Sequence, residues 1–404
     1  MADVEWLEGG ITAVPGILAS GIHGGIKASG KKDLALIYSS SPARAAAVFT
    51  GNQIKGAPVQ VSMEHVKGGT VQAIVVSSGN SNVCTGEAGI KDARDMTKTV
   101  ADLLRIPQRH VLVASTGVIG QPLPMEKIRP ALPKLVKALS PQGGRNAAEA
   151  IMTTDTRLKE AALRVEVTGR PVTIGGMAKG VGMIDPHMAT MLCFIATDAM
   201  VAQEALQPVL KRAVDRSFNR ITIDGDQSTS DMVALLANGL AENAPLERGS
   251  RGLRQFSRGL DAVTERLARM LVEDGEGGTK LVEIAVRGAR SPKDALAAAR
   301  AVATSFLVKT ALNGQDPNWG RILMALGKST ARVEAERVAV WFGDEQVVER
   351  GQLRPGAKLD RVREIMARPE FTIQIDLGIG AGRERVLTCD ISEEYVRINA
   401  KYAT

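Results

Sequence analysis

The stretch from Lys179 to Ala196, Lys-Gly-Val-Gly-Met-Ile-Asp-Pro-His-Met-Ala-Thr-Met-Leu-Cys-Phe-Ile-Ala, constrains the chain more than any other. Its first half is a Gly-rich turn containing Pro186, and its second half is an apolar run that reads as a buried strand. Thr190 stands at the junction. A hydroxyl held there beside the carbonyl of Ala189 has the placement of a scissile residue: it can attack the preceding peptide, and hydrolysis of the ester leaves Thr190 as a new N-terminus. The freed α-amine, with an ordinary pKa of about 7.7–8.0, can then serve as base for its own hydroxyl. The competing reading is a Thr that merely opens a buried strand.

With 404 residues the chain is too long for one small core, so two or three domains are expected. Hydrophobic content of 44% and charged content of 24% place it among folded proteins. The net charge of +7 is spread along the chain and aromatics are 3%, whereas a nucleic-acid surface needs a basic stripe or stacking aromatics. The excess charge is read as solubility and attraction for small anionic substrates. Apolar runs fall short of the ~18 residues of a membrane span. The opening Met-Ala-Asp-Val-Glu-Trp-Leu-Glu lacks the apolar core of a signal peptide. Cys84, Cys193 and Cys389 are widely spaced and odd in number, which fits the reducing cytoplasm better than a disulfide framework. Cys84 and Cys193, flanked by small or apolar residues, read as core.

Strand and helix patterns alternate, so the fold class is α/β or α+β. Strands are expected at 70–77, 110–114, 220–224 and 280–286, and helices at 87–104, 203–217 and 260–272. A second, smaller unit is expected from Gly288, dividing the chain into 1–287 and 288–404, with a long Ala-rich helix over 292–312. Gly25–Lys32 is close to a phosphate loop, but Lys32 stands where the metal-binding Ser or Thr belongs. The acids of Asp224–Asp231 have the spacing of a calcium loop, yet Thr229 and Leu235 replace its Gly and Glu. Ser228 with Asp231 therefore reads as a capping box opening a helix over 232–239.

Two further stretches carry chemistry. In Ser115-Thr-Gly117, at the end of a strand, a Thr hydroxyl beside a Gly amide can aim two donors at one point, as an oxyanion hole requires, or be a plain turn. Met152-Thr-Thr-Asp-Thr156 is either a turn or a substrate-facing wall. The four His show no zinc-ligand spacing, and neither His-Glu-x-x-His nor Gly-x-Ser-x-Gly occurs, so metallohydrolase and triad readings lose support and no metal is expected. His187, just before Thr190, is either a base or a solvated turn residue.

Thr190 in its setting, Thr116-Gly117, Met152–Thr156, Asp274-Gly-Glu-Gly277, Asp316-Pro-Asn-Trp-Gly-Arg321 and the ending Tyr395–Thr404 occur in one order along the chain. Together they resemble the ornithine acetyltransferase family, also called bifunctional glutamate N-acetyltransferase, of arginine biosynthesis. The likeness spans nearly the whole sequence. It implies a precursor that cleaves itself between Ala189 and Thr190 into an α chain (1–189) and a β chain (190–404), with Thr190 as the nucleophile that carries acetyl. It also implies Thr116 and Gly117 as the oxyanion pair, and Thr153, Lys179, Thr190, Glu276, Asn399 and Thr404 as substrate contacts, Thr154 being the alternative to Thr153. The implied fold is a layered α/β sandwich similar to self-processing aminopeptidases with a smaller C-terminal α/β domain. The implied assembly is an α2β2 heterotetramer without a bound cofactor, and acetyl-CoA is a further donor in bifunctional members.

The implied reaction is a two-step exchange: N2-acetyl-L-ornithine acylates Thr190 and L-ornithine leaves, then L-glutamate takes the acetyl group. In that setting a Lys on a Gly-rich loop can meet the α-carboxylate, and the acidic loop at Glu276 can meet an amino group of ornithine. Two departures stand out: Ser77-Ser78-Gly79 where Asn-Ser-Gly is more usual, and Gln227 within the Asp-Gly-Asp-x-Ser-Thr turn. The rivals are a self-processing aminopeptidase, which would pass its acyl group to water, and a non-catalytic anion-binding module, which would leave the chain intact.

Overall fold

A computed structural model of the protein describes residues 4–185 and 191–401. His187, Ala189, Thr190 and Thr404 lie outside the described residues. The chain forms two compact units, one comprising the chain through Asn219 with Asp226–Leu271, the other Arg220–Gly225 and the chain from Val272 onward. The α/β class expected from the alternating patterns is what each unit shows.

Strands along the first part of the chain are β1 (Glu5–Leu7), β2 (Ile17–Ile22), β3 (Leu34–Phe49), β4 (Thr70–Asn80), β5 (Val111–Val118), β6 (Lys159–Val167), β7 (Arg170–Lys179), β8 (Leu192–Thr197), β9 (Ile221–Thr222) and β10 (Met232–Ala237). Helices there are α1 (Ala57–His65), α2 (Gly86–Leu104), α3 (Met125–Lys137), α4 (Gly144–Ile151), α5 (Gln203–Arg216) and α6 (Arg251–Glu273). All these strands except β9 make one mixed sheet in the order β1-β6-β7-β8-β10-β3-β4-β5, with β2 also pairing β3. Alternate residues of β3, β4 and β5 serve opposite faces. Ala35, Ile37, Ile74, Val76, Leu112 and Ala114 pack with Ala147, Ala148 and Ile151 of α4. Leu34, Leu36, Ala73, Val75, Val111 and Val113 pack instead with Val61 of α1, Met96 of α2 and Leu132 of α3. Burial on both faces explains why these strands read as continuous apolar runs.

The second unit has a sheet in the order β14-β13-β12-β15-β11-β16-β9. Its members are β9, β11 (Leu281–Ala289), β12 (Ala339–Phe342), β13 (Glu345–Glu349), β14 (Gln352–Leu353), β15 (Glu370–Asp376) and β16 (Gly382–Cys389). Its helices are α7 (Pro292–Ala303), α8 (Phe306–Asn313), α9 (Trp319–Gly327), α10 (Leu359–Met366) and α11 (Glu393–Ala400). Ala295, Ala298, Ala299 and Val302 of α7 pack on Val282, Ile284 and Val286 of β11.

Several expectations need correction. The boundary at Gly288 falls inside β11, whose hydrogen bonds run to β15 and β16, so 281–287 belongs with the C-terminal sheet. Residues 232–239 are not a helix: Met232–Ala237 is a strand between β8 and β3, because ladders on both edges outweigh a helix preference in so short an apolar run. The proposed capping box goes with it, since the Ser228 hydroxyl accepts from Ser230 N at 3.0 Å. The helix expected over 292–312 is two helices bent by 58° at Thr304-Ser305, where the Thr304 hydroxyl bonds back to the Arg300 carbonyl at 2.8 Å. Cys193 and Cys389 are buried, but Cys84 is exposed, at a backbone φ of 59°. Among the described residues no single helix is long and apolar enough to cross a membrane.

Candidate active site

In the first unit β4 and β5 run parallel, with Ser78 beside Thr116 and Gly79 beside Gly117. Thr116-Gly117 is thus strand, not the expected turn. Gly117 is required twice over: its φ is +131°, and a Cβ there would collide with the Gly79 backbone. β7 delivers Lys179 as its last residue, so this Lys is set by a strand rather than by the loop that follows. It is 2% exposed.

Lys179 joins the two threonines. Its Nζ donates to Thr153 Oγ1 at 2.8 Å and to Thr116 Oγ1 at 3.4 Å. Because Thr116 accepts from a cation, its own hydroxyl hydrogen is left to donate elsewhere. A donor next to positive charge in a buried setting is the arrangement a developing oxyanion needs.

Asp155 fixes this group. One oxygen accepts from Lys159 Nζ at 2.8 Å and Gly180 N at 2.7 Å; the other accepts from Thr153 N at 3.0 Å and lies 3.8 Å from Lys179 Nζ. Burial alone would raise its pKa, but the charges of Lys179 and Lys159 overcome it and hold the carboxyl well below the usual carboxylate range. A depressed pKa stabilises the fold above the unfolded value of about 3.9, and the contribution fades as pH falls toward the folded value. Asp155→Ala should destabilise the protein by about 3–5 kcal/mol, since it strands two buried ammonium groups. The denaturant midpoint checks this: an unchanged midpoint would mean the cluster is not a structural hub.

Lys27 adds a third cation, its Nζ donating to Met152 O at 2.6 Å and Lys32 O at 2.8 Å. Burial, partly offset by Asp33 and reinforced by Lys179, lowers its pKa to about 8. The loop that looked like a phosphate cradle already spends its amides: Asp33 accepts from Gly24, Ile26 and Lys27 N at 2.5, 2.7 and 3.0 Å. Sequence reading missed Asp155, Lys159 and Lys27. Asp155 and Lys159 at least stand four apart, whereas nothing local ties Lys27 to Met152.

In the second unit Glu276, 8% exposed, accepts from Asn399 Nδ2 at 2.9 Å. That amide also reaches Tyr395 O at 3.0 Å, and the Tyr395 hydroxyl donates to Asp224 at 3.3 Å. The Ser392 hydroxyl fastens the start of α11 to Gly277 O at 2.5 Å. Two residues far apart in sequence, Glu276 and Asn399, are thereby brought into contact. Of the residues implied as functional, the structure groups Thr116, Gly117, Thr153 and Lys179 in one unit and Glu276 with Asn399 in the other.

Known proteins place this chain in a family. The ArgJ family pattern matches residues 18–404. The arginine biosynthesis bifunctional protein ArgJ of Symbiobacterium thermophilum is 48% identical over 403 residues, 99% of this chain and 100% of that protein. That of Geobacter sulfurreducens is 49% identical over 391 residues, 97% and 100% of the two. Among solved structures, the ornithine acetyltransferase of Mycobacterium tuberculosis, complexed with ornithine, is 39% identical with a TM-score of 0.43, covering 46% of this chain and 98% of that one. Near-complete coverage at this identity is decisive: the chain belongs to the ArgJ family.

Proposed function

We propose that the protein is a glutamate N-acetyltransferase that moves acetyl from N2-acetyl-L-ornithine to L-glutamate through an acetyl-Thr190 intermediate. The carrying observation is the buried contact of Lys179 with the hydroxyls of Thr116 and Thr153, at the end of the strand that leads into the Thr190 run. The Thr190 hydroxyl attacks the acetyl carbonyl, the oxyanion is met by the Thr116 hydroxyl and the Gly117 amide, and the C–N bond breaks as the ornithine nitrogen gains a proton. Glutamate's amine then attacks the ester and restores the hydroxyl. Lys179 meets a substrate carboxylate and Glu276 an amino group of ornithine, with Thr153, Asn399 and Thr404 as further substrate contacts.

The same reading includes self-cleavage between Ala189 and Thr190, an α2β2 assembly, work in the cytoplasm, and acetyl-CoA as a second donor. The relatives' name, a bifunctional protein of arginine biosynthesis, supports the pathway and the dual role. Purified protein given N-acetylornithine and glutamate should form N-acetylglutamate and ornithine in equal amounts. Net hydrolysis to acetate would point to an aminopeptidase-like enzyme instead.

Lys179→Ala should weaken substrate binding by about 1.5–3 kcal/mol through loss of a charge-assisted contact, a roughly tenfold to hundredfold rise in KM. Glu276→Ala should act in the same direction. Steady-state kinetics decide the point, and normal KM and kcat in both variants would refute these contacts.

A further inference from the structure

In the second unit, Glu276 sits on a loop with little stiffness of its own. The segment Asp274-Gly-Glu-Gly-Gly278, between α6 and β11, closes on itself through Gly275 N to Val272 O at 3.0 Å and Gly278 N to Gly275 O at 2.8 Å. Gly277 has a φ of +66°, and a Cβ there would collide with the Tyr395 backbone. Glycine leaves the backbone its widest freedom, so a carboxylate flanked by Gly275 and Gly277 takes its direction from whatever grips the loop from outside.

Asp390 supplies that grip. It follows β16 directly, is 1% exposed, and uses both oxygens. Oδ1 accepts from Thr279 N at 2.7 Å and Lys280 N at 2.9 Å, while Oδ2 accepts from the Thr279 hydroxyl and from Asn313 Nδ2, each at 2.7 Å. Bonds to a carboxylate are about twice as strong as neutral ones, so the loop's exit is held by a buried clamp. Cys389, the residue before, packs beneath the loop: a side chain at Gly275 or Gly278 would press on it. Its carbonyl in turn accepts from the buried Lys309 Nζ at 2.5 Å. Two residues beyond Asp390, the Ser392 hydroxyl holds Gly277 O. Thr279 and Gly277 are thus pinned on the C-terminal side of Glu276, whose carboxylate meets Asn399.

We propose that Asp390 is a positioning residue for the acetyl exchange, aiming the Glu276 carboxylate at the substrate's amino group. The role rests on the substrate contact proposed for Glu276. All the bonds of Asp390 run to the protein, so it acts through Glu276 alone: it governs how well N-acetylornithine is held and leaves the chemistry at Thr190 untouched.

The test is steady-state acetyl transfer by mature protein, with N-acetylornithine varied at saturating glutamate. Asp390→Asn keeps the shape but puts an NH2 where an oxygen accepted, so its four donors no longer all find an acceptor. KM for N-acetylornithine should rise about threefold to tenfold, the worth of one lost hydrogen bond, with kcat little changed. Action through Glu276 requires the double variant Asp390→Asn/Glu276→Ala to show the KM of Glu276→Ala alone, whereas a general structural defect would add to it. Thr279→Val, which takes one donor from Oδ2 without changing shape, should give a smaller rise, and Thr279→Ser should restore the wild-type KM. If Asp390→Asn does not fold, as judged by its thermal transition, Thr279→Val and its combination with Glu276→Ala decide. A normal KM in Asp390→Asn beside a raised one in Glu276→Ala overturns the proposal alone, as do additive effects or a fall in kcat at unchanged KM. A normal KM in Glu276→Ala removes the substrate contact itself, and the positioning role with it.

Discussion

Thr190→Ala should accumulate as one full-length, folded chain with no acetyl transfer, because the proposed function asks one hydroxyl to break the chain and then to carry the acetyl group. Thr190→Ser keeps the hydroxyl but loses the β-methyl that restricts χ1, so cleavage and turnover should both slow rather than vanish. A Cys there is less informative, since sulfur changes size and nucleophilicity together. Mass spectrometry of mature protein after brief exposure to N-acetylornithine without glutamate should find one acetyl group, on the first residue of the β chain. Acetyl on a Lys or on His187, or an active uncleaved Thr190→Ala chain, would sink the mechanism.

Much of the fold was legible because the strongest patterns were two-sided. β4 and β5 are apolar on both faces, and only a strand covered by helices above and below can be so. Where the pattern was short it misled. Met232–Ala237 carries six buried residues in a row, compatible with helix or strand until its neighbours β8 and β3 supply ladder partners on both edges. The division of the chain was hidden for a similar reason: β9 lies far upstream of β16 in sequence yet pairs with it, so Arg220–Gly225 joins a unit that otherwise starts at Val272.

The candidate site was legible only as an ensemble of motifs. Ser-Thr-Gly alone cannot be told from a turn, and it was the order of Thr116, Lys179, Thr190 and Glu276 along one chain that suggested a role for each. Contacts that give the site its electrostatics are non-local and left little trace. Asp155 binds Lys159, Lys179 and the Gly180 amide from a Thr-rich bend, and Lys27 reaches Met152 across 125 positions. Asp231 read as the partner of Ser228 in a capping box because nothing in its own sequence shows that it is fully buried, where loss of solvation pushes its carboxyl up.

Thr116→Val should lower kcat by about 10² to 10³ while the mature protein stays folded, since removing one preorganised oxyanion donor typically costs that much. Valine matches the shape of threonine and retains a β-branched side chain in β5, so the substitution deletes the hydroxyl without opening a cavity. Lys179 keeps its shorter bond to Thr153, 2.8 Å against 3.4 Å to Thr116, and stays beside Asp155, so the cation should hold its place. KM should accordingly change little, because the lost contact forms with the transition state rather than the bound substrate. Thr116→Ser supplies the control: it restores a donor and should recover most of the rate. Gly117 offers no equally clean test, as any side chain there meets the Gly79 backbone and an unfavourable φ. A Thr116→Val enzyme with kcat within a few-fold of wild type would return Ser115-Thr-Gly117 to a plain stretch of strand, and the Gly117 amide would have to carry the oxyanion without it.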